Sequence, residues 1–379
     1  MATTSFVNAA LFLDGEFVTG WRLTVTGERI ASIGKDEGPC PGERVDCRGR
    51  LLFPGFIDAQ VNGGSGVLFS AEPTIEGLRA IAETFRPSGT TSLLPTLVSD
   101  RLGQIPAAIA AVRDAIAEGV PGILGVHLEG PFLSEARKGA HNAAMFRDLG
   151  SDLVDMLTSL DNGVTLVTLA PERASPEAIA ALVAQGIIVA AGHSDADATT
   201  VKCAAEAGLT GFTHLFNAMA PVSAREPGCA GVALSLDQCW CGIIADRHHV
   251  SDEALRIAWR CKGRDRLMLV TDAMPAVGMA EGSVFRFGNS EVQLEDGACR
   301  NQHGVLSGSA LTMKAAVLNA VERMGVGLAD AIVMATETPA RFLRIEGERG
   351  RIAPGLRADL VVADAKLGDM EVWIGGERA

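Results

Sequence analysis

The sequence predicts an α/β fold: a (β/α)8 TIM-type barrel with a small β-sandwich domain formed by the N- and C-terminal segments. Three observations predict it. Short strand-like runs fill both ends of the chain, and strands alternate with helix-spaced segments between those ends. Four apolar runs in this middle region also end in a residue fit to bind a metal or move a proton. They are 123–128 before Glu129, 187–191 before His193, 211–213 before His214 and 267–270 before Asp272. A buried parallel strand reads as a short Val/Ile/Leu-rich run. Functional side chains in a barrel come from the C-terminal ends of several strands, so these four residues converge on one face.

At the N-terminal end, residues 6–13, 17–19, 22–26, 30–33 and 50–53 read as strands, with Asp14-Gly15 and Thr26-Gly27 as hairpin turns. At the other end, 359–363 follows Pro354-Gly355, and 370–374 precedes Gly375-Gly376. The two strand-rich ends are therefore assigned to one sandwich domain, residues 1–53 and 346–379, around a barrel domain of residues 54–345. Within the barrel, 76–85, 105–118, 176–185 and 199–207 carry apolar residues at helical spacing. Ser175 and Pro176 form an N-cap and first-turn pair. A long helical run is expected to begin over 306–324. No G-x-G-x-x-G opens a helix after the first strand, which favours a closed barrel over an open dinucleotide-binding sheet.

The chain has 379 residues, 47% of them hydrophobic and 21% charged, which suits one large buried core and excludes a disordered chain. A net charge of −13 disfavours nucleic acid and anionic membranes as partners and demands a local cationic pocket for any anionic substrate. The eight Cys show no C-x-x-C spacing and read as reduced thiols. Residues 1–20 lack a basic segment followed by a long apolar one, and no apolar stretch approaches the roughly 18–20 residues of a membrane span. The expectation is a soluble, cytoplasmic protein.

Two His and one Glu are the ligand types of a catalytic metal site that keeps one position open for water. Asp272, at a later strand end, reads as a general base that takes a proton from a water acidified by the metal. The bland alternatives are a turn cap for Glu129 and a helix N-cap for Asp272. Six of the seven His fall between 127 and 249, which favours a site over scattered surface residues.

Eight segments then resemble the N-acetylglucosamine-6-phosphate deacetylases of the amidohydrolase superfamily, in the family's order along nearly the whole chain. They are Pro54-Gly55-Phe56-Ile57-Asp58, His127-Leu128-Glu129-Gly130-Pro131, Lys138-Gly139-Ala140-His141, Ala191-Gly192-His193-Ser194, Thr213-His214-Leu215-Phe216-Asn217-Ala218-Met219, Arg225-Glu226-Pro227-Gly228, Val270-Thr271-Asp272-Ala273 and Leu306-Ser307-Gly308-Ser309. The resemblance implies that Glu129, His193 and His214 hold the metal and that Asp272 is the acid/base. It implies that His141 hydrogen-bonds the acetyl carbonyl, and that Ala140, Asn217, Ala218, Arg225, His249, Leu306 and Ser307 contact the sugar phosphate. Arg225 would supply the cationic pocket, against the alternative of a surface ion pair with Glu226. A homodimer is implied as well, with Arg225 and His249 acting in their own subunit or across the interface.

The sequence departs from most amidohydrolases after the first barrel strand, where His-x-His is replaced by Gln60-Val61-Asn62. Neutral amides are poor ligands for a transition metal. Gln60 and Asn62 thus mark a vacant second-metal position, and one divalent ion per subunit is expected: zinc, with iron, manganese or cobalt open. His249 is aligned as the functional member of the His248-His249 pair, His303 as a solvated loop residue, and His127 as support for Glu129. The expected reaction is hydrolysis of N-acetyl-D-glucosamine 6-phosphate. The galactosamine epimer, another small amide, and a non-catalytic scaffold are the rivals.

Overall fold

Eight short runs, buried on both faces, make up the central sheet of the computed structural model, which describes residues 1–99, 101–288 and 290–379. They are Phe56–Val61 (β1), Thr90–Val98 (β2), Gly125–Glu129 (β3), Val164–Leu169 (β4), Ile188–Ala191 (β5), Gly211–Phe212 (β6), Trp240–Ile243 (β7) and Leu267–Leu269 (β8). Neighbours pair in chain order and every pairing is parallel. The segment after β8 returns to β1, where the Asp272 amide donates to the Gln60 carbonyl at 3.0 Å and the Asn62 amide to Ala273 at 2.8 Å. The ring of strands is the expected barrel.

Helices start where a side chain can accept from the first free amides. Thr74, Ser175, Asp197, Ser251 and Thr312 each cap the amide three residues on, and Pro176 occupies the first turn after Ser175. The four helices read from periodicity are Ile75–Phe85, Gln104–Ala117, Pro176–Ala184 and Ala198–Glu206. Each bound falls within one residue of the expected one. Gly228–Ser235, Asp252–Arg266, Leu328–Ala335 and Glu337–Phe342 add helices that were not assigned from sequence.

The chain ends build two sheets. One orders Arg29–Lys35, Trp21–Thr26, Thr3–Val7 and Glu43–Asp46; the other orders Glu377–Arg378, Met370–Ile374, Leu360–Ala363, Leu51–Pro54, Ala10–Leu13 and Glu16–Val18. Phe6, Leu11, Leu23, Leu52, Val362 and Trp373 fill the space between them. Leu51–Pro54 pairs antiparallel with Leu360–Ala363, so the two ends share one hydrogen-bonded ladder.

Two expectations need correction, and one strand is additional to those read from the sequence. The run 6–13 is two strands, because Asn8 adopts a left-handed turn at φ 53°. Glu43–Asp46, an edge strand with two exposed charges, carries no apolar alternation and was not foreseen. The region 306–324 does not begin as a helix. Leu306–Ser309 is a strand, the helix spans Met313–Asn319, and Ala320–Met324 is a π turn. Tertiary pairing overrides local propensity here: the Ser309 hydroxyl donates to the Thr271 carbonyl at 2.6 Å and the Ser309 amide to Asp272 at 2.9 Å. That strand closes a four-stranded antiparallel flap with Val284–Phe287, Ser290–Glu295 and Ala298–Asn301. The flap packs Phe285, Phe287, Val292 and Leu294 on Leu68, Val98 and Met274 at the barrel mouth.

Candidate active site

Glu129 is the last residue of β3, while His193, His214 and Asp272 follow β5, β6 and β8. The last three hold left-handed backbone conformations, with φ of 49°, 34° and 51°. Such conformations are uncommon for residues other than Gly, and cluster at functional sites. Here they end each strand abruptly at the barrel mouth.

Glu129 Oε1 lies 2.9 Å from His214 Nε2 and 3.4 Å from His193 Nε2, and the two Nε2 atoms are 3.1 Å apart. The three side chains could hold a metal ion, since their donor atoms all lie within 4.8 Å of one another. His193 fits that role in detail. Its Nδ1 faces the Arg137 carbonyl at 2.9 Å, which only accepts, so Nδ1 carries the proton and Nε2 turns a lone pair toward Glu129 and His214. All three residues are buried. Burial opposes the Glu129 charge, but the close approach of His193 and His214 holds its carboxyl well below the usual range. Burial likewise works against a charged His214, while the Glu129 hydrogen bond and charge raise its pKa.

Gln60 and Asn62 turn their amides to the acids. Gln60 Nε2 donates to Glu129 Oε1 at 3.2 Å and to Asp272 Oδ1 at 3.1 Å, and Asn62 Nδ2 donates to Asp272 Oδ1 at 2.7 Å. These amides act as donors that orient carboxylates. Burial and the Glu129 charge push the Asp272 carboxyl up to about 6.

Beneath them Asp58 is fully buried, accepting from the Thr271 hydroxyl at 2.5 Å and from the Gln60 and Thr271 amides. Burial pushes its carboxyl up to about 7. An acid whose pKa rises on folding stabilises the fold while protonated. That contribution is complete below about pH 4, the unfolded value, and is lost as pH rises through about 7. Asp58→Asn keeps the neutral shape, so its Tm relative to the parent is expected to climb between pH 5 and pH 8. A pH-independent difference would contradict this.

The barrel mouth holds a cavity of about 160 Å³. Asn62, Glu129, Ala140, His141, His193, His214, Asn217, Ala218, His249, Asp272 and Leu306 all line it. Arg225 and Ser307 do not. Arg225 sits exposed on the loop after β6 and, among the described residues, makes no ion pair. The Glu226 carboxylate instead receives the Ala198 and Gly228 amides at 2.8 and 3.0 Å. Ser307 is buried, with its hydroxyl on the Val305 carbonyl. His249 is held by Asp246 at 2.6 Å, whereas His248 and His303 are exposed. His141 stands beside the triad, its ring centroid 4.4 Å from that of His193 and its Nε2 4.0 Å from Glu129 Oε2. Burial, helped by neighbouring histidines, pushes its pKa down to about 3, so it is neutral at pH 7.

The amidohydrolase family model matches residues 51–377. The chain belongs to the amidohydrolase family. A relative from Shewanella sp. (strain ANA-3), named N-acetylgalactosamine-6-phosphate deacetylase, is 45% identical to it over 86% of this chain and 82% of its own. The N-acetylglucosamine-6-phosphate deacetylase of Homo sapiens is 39% identical, over 98% of this chain and 94% of its own. The solved N-acetylglucosamine-6-phosphate deacetylase from Pasteurella multocida superposes with a TM-score of 0.95 at 34% identity, covering 100% of this chain and 99% of that one. A solved Asp-to-Ala variant from Mycobacterium smegmatis, in complex with N-acetyl-D-glucosamine-6-phosphate, gives 0.91 at 32% identity, with coverage of 100% and 99%.

In this amidohydrolase, His127 lies below Glu129, His193 and His214 and outside the group that could hold a metal. Its Nδ1 meets Thr96 at 3.1 Å and its Nε2 meets Thr168 at 2.7 Å, tying β2, β3 and β4 together. Sequence reasoning missed Val98, Met274 and Phe287, which form an apolar wall of the cavity, and Ser99 beside His141. Ser99 directly follows β2, so the strand-end rule that found the others could have found it. Phe287 belongs to the flap, which carries no such signal. Among the described residues of this amidohydrolase, no helix is long and apolar enough to cross a membrane, and all eight Cys are free.

Proposed function

We propose that this chain hydrolyses N-acetyl-D-glucosamine 6-phosphate to D-glucosamine 6-phosphate and acetate, with one divalent ion held by Glu129, His193 and His214. The observation that carries this reading is the meeting, in one cavity, of that trio, a buried carboxylate held by two amides, and a neutral imidazole. The names and close likeness of the relatives support the substrate class. When bound, a divalent ion supplies Lewis-acid polarisation of the amide and lowers the pKa of water from about 15.7 to about 7. Zinc suits the ligand types, and iron, manganese and cobalt also fit them.

Asp272 is the general base in this reading. It removes a proton from the attacking water and returns it to the nitrogen as the C–N bond breaks. His141 donates from Nε2 to the carbonyl oxygen as that atom gains charge. Asn217, Ala218 and His249 face the sugar, with Ala140 and Leu306 closing the cavity and Ser307 available through its backbone. Arg225 lies outside its own cavity, so we assign it to the phosphate bound by a partner copy in a homodimer. The chemistry resides in residues 54–345, with 1–53 and 346–379 as a supporting domain. A second reading, the galactosamine epimer, is favoured by the 45% identity to the Shewanella protein.

Acetate release from both epimers, measured with the metal content of the same preparation, tests the reading. Turnover is expected with one ion per chain and a higher kcat/KM for the glucosamine substrate. Faster turnover of the galactosamine substrate would transfer the assignment to the second reading. Two tightly bound ions would overturn the mononuclear site, and no acetate from a metal-loaded preparation would overturn both readings.

A further inference from the structure

We infer that Ser99 is a positioning residue that fixes the tautomer of His141, placing the ring proton on Nε2. The inference rests on the proposed role of His141 as donor to the carbonyl oxygen. A neutral imidazole carries one N–H, and which nitrogen holds it depends on the partner of the other. Here that partner is Ser99 twice over. Its backbone N–H points at His141 Nδ1 at 3.4 Å, and its hydroxyl oxygen lies 2.9 Å from the same atom.

The amide hydrogen decides the direction, because it cannot rotate away. A proton on Nδ1 would face the Ser99 N–H, donor against donor. A lone pair on Nδ1 accepts from both the amide and the hydroxyl, and leaves the proton on Nε2. Among the described residues the hydroxyl has one other acceptor in reach, the Glu129 carbonyl, but at the longer distance of 3.3 Å. Gly130 crowds the serine further: at φ 85°, a Cβ there would collide with Ser99 Oγ. The hydroxyl is therefore confined between β2, β3 and the His141 ring.

The other ring nitrogen needs this proton. Nε2 sits on the cavity side, 4.0 Å from Glu129 Oε2. With a bare Nε2, His141 would turn a lone pair toward both a carboxylate and the incoming carbonyl oxygen. The protonated Nε2 attracts both. Ser99 thus makes a donor of His141 without touching substrate.

Nitrogen-15 histidine NMR of the zinc-loaded protein reads the tautomer directly, with the His141 signals identified by their loss in His141→Asn. The expected pattern is a protonated Nε2 and a bare Nδ1; the reverse would overturn the inference whatever the enzyme hydrolyses. In Ser99→Ala, kcat is expected to fall about five- to tenfold, the size of one neutral hydrogen bond, with KM within twofold of the parent. Ser99→Thr is expected to restore kcat, because the serine borders a neighbouring cavity of about 260 Å³ that has room for a methyl group. Unchanged kcat in the alanine variant, or no recovery in the threonine variant, would refute the hydroxyl's share of the positioning, while the share of the backbone amide, which both variants keep, is overturned by the reverse NMR pattern. A parent protein that releases no acetate would instead sink the functional reading and leave the NMR result standing.

Discussion

Asp272→Asn is expected to lower kcat by about 10²–10⁴-fold, the range for losing a general acid–base, while metal content and KM stay near the parental values. The substitution is close to isosteric. The Asn oxygen can still accept from Gln60 and Asn62, which approach Asp272 Oδ1 at 3.1 and 2.7 Å, so the side chain keeps its place. What it loses is the capacity to hold a proton between water and the leaving nitrogen. Steady-state kinetics with metal analysis on the same sample reads both effects. A variant with near-parental kcat would remove Asp272 from the mechanism, whereas one that also loses metal would make it a ligand.

Glu129→Gln is expected to empty the site. Glu129 is the only carboxylate in the trio, and its Oε1 is approached by His193, His214 and Gln60 together. A neutral amide removes the negative charge that offsets a divalent cation, and can turn an N–H toward the imidazole lone pairs. Metal content after dialysis should fall well below one equivalent per chain. Activity should fall by about 10³-fold or more, because loss of a single oxyanion donor already costs about 10²–10³. Retention of a full equivalent of metal would show that Glu129 is not the anionic ligand.

Much of this site is legible in the sequence for one physical reason. A strand buried on both faces is a short apolar run, and the polar residue that ends it stands out. Glu129, His193, His214 and Asp272 are found in this way, and the structure brings them to one cavity. Gln60 and Asn62 are legible as departures from a ligand pattern, but not as the donors that orient Asp272. The left-handed turns at His193, His214 and Asp272 leave no sequence trace, since His and Asp are among the non-glycine residues that tolerate them. The flap is hidden more deeply. Leu306–Ser309 has a helix-compatible neighbourhood and becomes a strand because it pairs antiparallel with Ala298–Asn301 while Ser309 bonds the segment after β8. Arg225, named from the resemblance alone, is exposed and does not line the cavity, and no strand-end or capping pattern marks its position.

The ladder shared by Leu51–Pro54 and Leu360–Ala363 has a consequence for how the molecule comes into being. A ribosome releases the first of these strands some three hundred residues before the second. Throughout synthesis of the barrel, Leu51–Pro54 therefore offers an unpaired edge of the kind that invites association with other chains. The sheet is completed only when Leu360–Ala363 and the two strands that follow it emerge. Contacts so distant along the chain form slowly, and the enzyme's birth, rather than its mature state, is where this architecture is most exposed.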